Sequence, residues 1–140
     1  VRKRGRDKVG TKNMNDLRQK NILFICTANC MRSPTAEKIF SEYPGIIATS
    51  AGINEYSPVK LTHDIIRWAD LIFVMEQRHY EHLMRKHLGA IYDKEMVILG
   101  IVDQYQFMDP ELIEILKNRV TPYLDDLENE EFRASSQESE

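Results

Sequence analysis

The sequence predicts an α/β fold: a three-layer sandwich in which a four-stranded parallel sheet carries helices on both faces. Three observations lead there. Short apolar runs at Asn21–Cys26 (NILFIC) and Asp70–Met75 (DLIFVM) read as strands buried on both faces, which a parallel sheet requires. Stretches with apolar residues at helical spacing separate those runs, and strand–helix alternation implies right-handed crossovers. The chain has 140 residues, enough for one domain with a real core and too few for two.

In chain order, Asn21–Cys26 is the first strand. Ser33–Tyr43 follows as a helix with Pro34 in its first turn, where a missing N–H costs nothing. Ile46–Ser50 is the second strand, closed by Ala51-Gly52, and residues 54–60 are a polar loop. Thr62–Ala69 is a short helix with Leu61, Ile65, Ile66 and Trp68 on its apolar side, Trp68 being assigned to the core. Asp70–Met75 is the third strand. Gln77–Leu88 is a helix stopped by Gly89, a C-terminal signal. Met96–Leu99 is the fourth strand. A last helix opens at Asp109-Pro110 and places Leu112, Ile113, Leu116, Val120, Leu124 and Leu127 on one side, with Pro122 kinking or restarting it. No internal repeat interrupts this order.

Charge divides the chain. Residues 1–20 carry eight Lys/Arg against Asp7 and Asp16, a surplus of six, so the net −3 leaves −9 on the rest. An acidic folded part argues against nucleic acid as the partner. Residues 1–19 read as a basic disordered extension, either a start-site artefact upstream of Met14 or a tether for an acidic partner, with the artefact preferred; residues 20–128 form the domain; residues 129–140 read as an acidic, Ser-rich disordered tail. No apolar run is long enough to cross a bilayer, and the basic start has no apolar h-region of a secretory signal. A cytoplasmic location follows by default, and Cys26 and Cys30, the two cysteines, suit a reducing compartment better than a disulfide framework. They also form a poor zinc pattern, so no metal or other cofactor is expected. His63, His79, His82 and His87 are scattered, with His79, His82 and His87 assigned to solvated or half-buried helix faces.

The chemistry concentrates in Cys26-Thr27-Ala28-Asn29-Cys30-Met31-Arg32-Ser33-Pro34, between a buried strand and a helix start. Such a turn can aim several backbone N–H groups inward as a nest for a tetrahedral anion, and the helix dipole adds positive potential there. The same surroundings favour a thiolate, which makes Cys26 a candidate nucleophile. Arg32 closes the loop, and its planar fork suits two phosphate oxygens. Asn29 suits a left-handed backbone position. Ser33 could hydrogen-bond the thiolate. In doubly wound sheets, ligands bind beyond the carboxyl ends of the strands, where this loop falls. Cys-x5-Arg alone is a weak pattern; following a buried strand and continuing into Ser33-Pro34, it is specific.

At these residues the chain resembles the low-molecular-weight protein tyrosine phosphatase family. The likeness is carried by Ile22-Leu23-Phe24-Ile25, the loop Cys26 to Arg32, Ser33-Pro34-Thr35-Ala36-Glu37, Ser50-Ala51-Gly52, Ala69-Asp70-Leu71-Ile72-Phe73-Val74-Met75 and Asp109-Pro110, in the family's order across roughly residues 20–127. The resemblance implies a phosphatase domain over residues 20–128, a flavodoxin-like strand order 2-1-3-4, a covalent cysteinyl-phosphate intermediate, no metal, Asp109 as the acid, and Asn29, Ser33 and Ser50 as hydrogen-bonding supports of the loop. Phosphate would sit on Thr27, Ala28, Asn29, Cys30, Met31 and Arg32. Departures are visible as well. Residues 52–68 are shorter than in the family, Glu111 stands where an aromatic follows Asp-Pro, Ala28 replaces a glycine, and Met31 stands where a second cysteine is frequent, with Cys30 one place earlier. The chain looks like a shortened bacterial-type member.

Turnover needs an acid for the departing oxygen and a base for water, and one carboxyl can serve as both. Asp109 fills this role and also reads as a helix N-cap before Pro110; Asp103 is the fallback. Tyr56, Tyr105 and Phe107 either line the pocket mouth or pack beneath loops, and Lys60 and Arg67 are basic residues that could attract anions. Cys30 either forms a protective disulfide with Cys26 or fills space behind the loop. The function expected is hydrolysis of phosphomonoesters, of a phosphorylated protein bearing phosphotyrosine or of a small molecule, by a monomer or weak dimer without nucleic acid or membrane. The alternative is a non-enzymatic anion-binding, regulatory or phosphocarrier module. Arsenate reduction wants relay cysteines that this chain lacks, and phosphoarginine hydrolysis goes with a Thr where Cys30 stands.

Overall fold

The computed structural model of the chain describes residues 19–138, with side chains as far as Asp125. Four strands, β1 (Lys20–Cys26), β2 (Ile46–Gly52), β3 (Leu71–Val74) and β4 (Glu95–Ile98), form one sheet in the order β2-β1-β3-β4. All three pairings are parallel, with Phe24 opposite Ser50 on one side and Phe73 on the other. This is the 2-1-3-4 order expected. The helices are α1 (Arg32–Phe40), α2 (His63–Trp68), α3 (Gln77–Lys86), α4 (Leu88–Ile91) and α5 (Pro110–Glu138).

The two-residue period of β1 divides its side chains between two cores. Ile22, Phe24 and Cys26 face a layer closed by Ala36 and Phe40 of α1 and by Leu112, Leu116, Val120 and Leu124 of α5. Leu23 and Ile25 face the other layer, with Ile66 of α2, Leu83 of α3 and Ala90 and Ile91 of α4. Phe24 stacks between Phe40 and Phe73, at centroid distances of 5.6 and 5.3 Å. Because Cys26 is the last residue of β1 on the α1/α5 side, its thiol emerges at the carboxyl edge, beside Ser33 in the first turn of α1.

Several local expectations are corrected. Gly89 lies inside α4 instead of ending α3; the break comes at His87, whose φ of −135° and ψ of 27° interrupt the helix. Trp68, assigned to the core, is 36 % exposed at the end of α2, where Ile66 supplies the buried contact. The extension at residues 1–18 lies outside the described residues. At the other end α5 runs through Pro122 and on to Glu138, into the stretch read from composition as an acidic tail; Glu, Arg, Ala and Gln there are good helix formers.

Candidate active site

Cys26 ends β1, and α1 begins at Arg32 with Met31 as N-cap and no side-chain cap. The first-turn N–H groups of α1 therefore remain available at the loop, and no acidic residue lies in that turn to offset their positive potential. Asn29 takes the left-handed conformation, with φ of 57°, which turns the chain back over the end of the strand.

Directed hydrogen bonds hold this turn. The Asn29 side-chain N–H2 donates to Ser33 Oγ (3.0 Å) and Ser50 Oγ (2.9 Å), while its Oδ1 accepts from Val59 N–H (3.1 Å). Ser50 passes its own proton to Glu37 Oε1 at 2.5 Å. Ser33 accepts from Asn29, so its hydroxyl proton is free to be donated to Cys26 Sγ, 3.0 Å away. Asn29 N–H also points to Sγ at 3.3 Å. Both groups are placed against a sulfur that is only 3 % exposed. The loop's other flank rests on Gly52. A Cβ there would stand 2.8 Å from Thr27 O and 2.9 Å from Asn29 N, and against Ser57, so only glycine lets β2 approach so closely.

Arg32 is 2 % exposed. Its Nη1 donates to Ile101 O at 2.7 Å and pairs with Glu76 at 3.1 Å. On the other edge, Nε has only Asp103, at 3.8 Å, and Nη2 makes no protein bond among the described residues. The Nε/Nη2 edge is thus the one left for two oxygens of an anion. Burial works to raise the Glu76 carboxyl, but a hydrogen bond from Arg78 and the charges of Arg32 and Arg78 hold it below the ordinary value.

The sequence placed His79 on a solvated or half-buried face; the structure buries it completely. Backbone N–H of Glu76 donates to its Nδ1 (3.0 Å), and its Nε2 meets Thr27 Oγ1 at 2.9 Å. Burial, then the nearby Arg32 and Arg78 charges, push its pKa down to about 4. Periodicity could not have found this residue, because its partner lies 52 positions away. Glu37 and Glu76 escaped for the same reason. His63, His82 and His87 are gathered rather than scattered, with ring centroids 4.6 and 5.9 Å from that of His87. Among the described residues no group of three or more His, Cys, Asp and Glu is arranged to hold a metal.

The structure therefore brings Cys26, Asn29, Arg32, Ser33 and Ser50 together. Thr27, Ala28 and Met31 are partly exposed along the loop. Cys30 is exposed, its thiol 3.4 Å from Ala28 O, and both cysteines are free, so Cys30 does not fill space behind the loop. Asp109 is not hydrogen-bonded to the loop among the described residues; its Oδ1 accepts from Glu111 N–H at 2.9 Å, capping α5. Its neighbour Met108 holds a left-handed φ of 63° and donates its N–H to Thr35 Oγ1 in the first turn of α1. Tyr56 and Phe107 are exposed at 88 % and 48 %, and Tyr105 packs partly against the α1/α5 core.

A buried thiol at the tip of a parallel strand, with Asn29 N–H and the Ser33 hydroxyl beside it and a buried arginine at the end of its loop, is an arrangement suited to binding an anion next to a cysteine. A family model for low molecular weight phosphotyrosine protein phosphatases matches residues 21–66, the segment that holds this loop. A low molecular weight protein-tyrosine-phosphatase, Ptp, of Acinetobacter johnsonii is 33 % identical over 88 residues, covering 46 % of this chain and 62 % of the relative. The probable phosphatase AmsI of Erwinia amylovora is 26 % identical over 114 residues, covering 64 % and 78 %. The fold matches that of the tyrosine phosphatase Wzb from Escherichia coli K30, solved with phosphate, at a TM-score of 0.63 and 23 % identity over 78 % of this chain and 99 % of that one. The chain is thus similar to low molecular weight protein-tyrosine-phosphatases in its loop segment and in its fold.

Proposed function

We propose that this chain hydrolyses phosphomonoesters, with protein phosphotyrosine as the substrate class, through a phosphate covalently held on Cys26. The observation that carries this reading is the Cys26 thiol with the Ser33 hydroxyl and Asn29 N–H beside it, in a loop closed by a buried Arg32 whose Nε edge meets only Asp103, at 3.8 Å. In the first step Sγ attacks phosphorus; the P–S bond forms as the P–O bond breaks, and an acid protonates the departing oxygen. In the second step water loses its proton to the resulting carboxylate and attacks phosphorus, and the thiolate leaves toward the Ser33 hydroxyl. Arg32 and the loop N–H groups hold the equatorial oxygens throughout.

We assign the acid to Asp109. It opens α5, the helix that shares a core with Cys26, and α5 begins at the carboxyl edge of the sheet. Met108, just before it, holds a strained left-handed backbone anchored on α1, and such strain clusters at functional sites. Asp103, 59 % exposed and near Arg32 Nε, is better placed as a counter-charge to the guanidinium. The reading includes a cytoplasmic enzyme acting as a monomer or weak dimer without nucleic acid or membrane. Among the described residues no helix is long and apolar enough to cross a membrane.

An aryl phosphate assay with chelator present tests this. Wild type turns over, Cys26→Ser is inactive, and Asp109→Ala loses roughly a hundredfold or more in kcat, as for removal of a general acid. Phosphate binding without turnover by wild type would instead make the chain a binding module or carrier. Preferential hydrolysis of phosphoarginine would overturn the substrate class.

A further inference from the structure

We propose that His79 is a positioning residue for the phosphate loop, acting through Thr27, and that with Glu76 it couples the loop's start to Arg32 at its end. This inference rests on the phosphate-binding part of the functional reading. Hydrogen-bond direction fixes the tautomer of His79. Glu76 N–H donates to His79 Nδ1, so that nitrogen carries no proton. The neutral ring must then carry its proton on Nε2 and donate it to Thr27 Oγ1. Thr27 is the residue immediately after the nucleophile, and its carbonyl is also fixed, accepting from Asn54 N–H at 2.8 Å. Its peptide is thereby held from the α3 side and from the loop after β2.

Glu76, the N-cap of α3, takes part at both ends. Its backbone orients His79, and its carboxylate binds Arg32 Nη1 at 3.1 Å. One residue thus sets the imidazole that holds Thr27 and the guanidinium that closes the loop. A histidine with no exposure cannot meet a substrate, and a neutral ring committed at both nitrogens has no proton to exchange in turnover. Its task is geometric: to keep the first loop residue and the arginine in register before phosphate arrives.

The experiment uses the full chain and reads inorganic phosphate affinity by calorimetry, together with kcat and KM for an aryl phosphate. Variants are His79→Leu, Thr27→Val, their combination, and His79→Gln, whose amide oxygen can accept from Glu76 and whose amide N–H can donate to Thr27. His79→Leu and Thr27→Val should each weaken phosphate binding by about tenfold, the scale of one net hydrogen bond. The double variant should be no weaker than either single one, because both remove the same link. His79→Gln should restore most of the affinity. Nitrogen NMR of His79 should show the Nε2–H tautomer and respond to phosphate. Unchanged affinity in Thr27→Val, additive losses, or the Nδ1–H tautomer would each overturn the proposal. Should His79→Leu fail to fold, Thr27→Val and the tautomer still decide. Phosphate binding does not require turnover, so an inactive wild type that shows the coupling refutes the phosphatase reading alone.

Discussion

At the scale of single residues, the proposed nucleophile is set by its own loop: the Ser33 hydroxyl and Asn29 N–H lie against Cys26 Sγ, and Arg32 is buried at the loop's end. Cys26, Asn29, Arg32 and Ser33 fall within one turn of chain, where spacing dictates geometry. Ser50 was reached only through the resemblance. His79, Glu76 and Glu37 were unreadable, since a residue's place on a helix does not say which distant hydroxyl it meets. His79 carries a pH consequence. Its folded pKa of about 4 lies below the ordinary histidine value near 6.5. The charged groups around it are Arg32 and Arg78, which oppose protonation, and Glu76, which favours it, with a small opposing effect from His82. The unfolded chain takes up the proton first as pH falls, so this contribution to stability is complete above about pH 6.5, declines toward pH 4 and is then exhausted. The span corresponds to roughly 3 kcal/mol. In denaturant melts between pH 7 and pH 4, wild type should lose stability relative to His79→Gln, whose amide does not titrate; parallel curves would contradict the assignment.

Elements were legible in type and order, less so in their ends. Buried strands revealed themselves by unbroken apolar runs, and β2 exceeded its predicted end only by Ala51 and Gly52. Helix ends depend on tertiary contacts, which is why α3 stops at Lys86 and Gly89 falls in α4. Trp68 was misassigned because periodicity on a six-residue helix cannot separate a core position from a rim. The close approach of β2 to the loop makes a prediction at this scale. Gly52→Ala places a methyl against backbone atoms of Thr27 and Asn29, which cannot swing aside as a side chain does. Phosphate affinity should fall by an order of magnitude or more, with the cores on both sheet faces retained; overpacking of this kind costs about 1–3 kcal/mol. Wild-type affinity in Gly52→Ala would show that the loop is not braced by this strand.

For the whole molecule, the sheet order places the chemistry. Parallel strands direct their carboxyl ends to one edge, β1 lies at the centre of the sheet, and α1 and α5 cover the face on which Cys26 emerges. The sequence carried that much through alternation of strand and helix. It did not carry the cross-layer contacts that orient Arg32, which join β1's loop to the segments after β3 and β4 through Glu76 and Ile101. The central claim is that phosphate passes through a covalent bond to Cys26, and the most direct measurement is rapid mixing of excess wild-type enzyme with an aryl phosphate, acid quench, and mass analysis of the peptide containing residue 26. A transient peptide heavier by one phosphoryl group should form in step with aryl alcohol release and be absent from Cys26→Ser. Aryl alcohol released with no phosphate ever found on Cys26, or with phosphate on another residue, would contradict the claim.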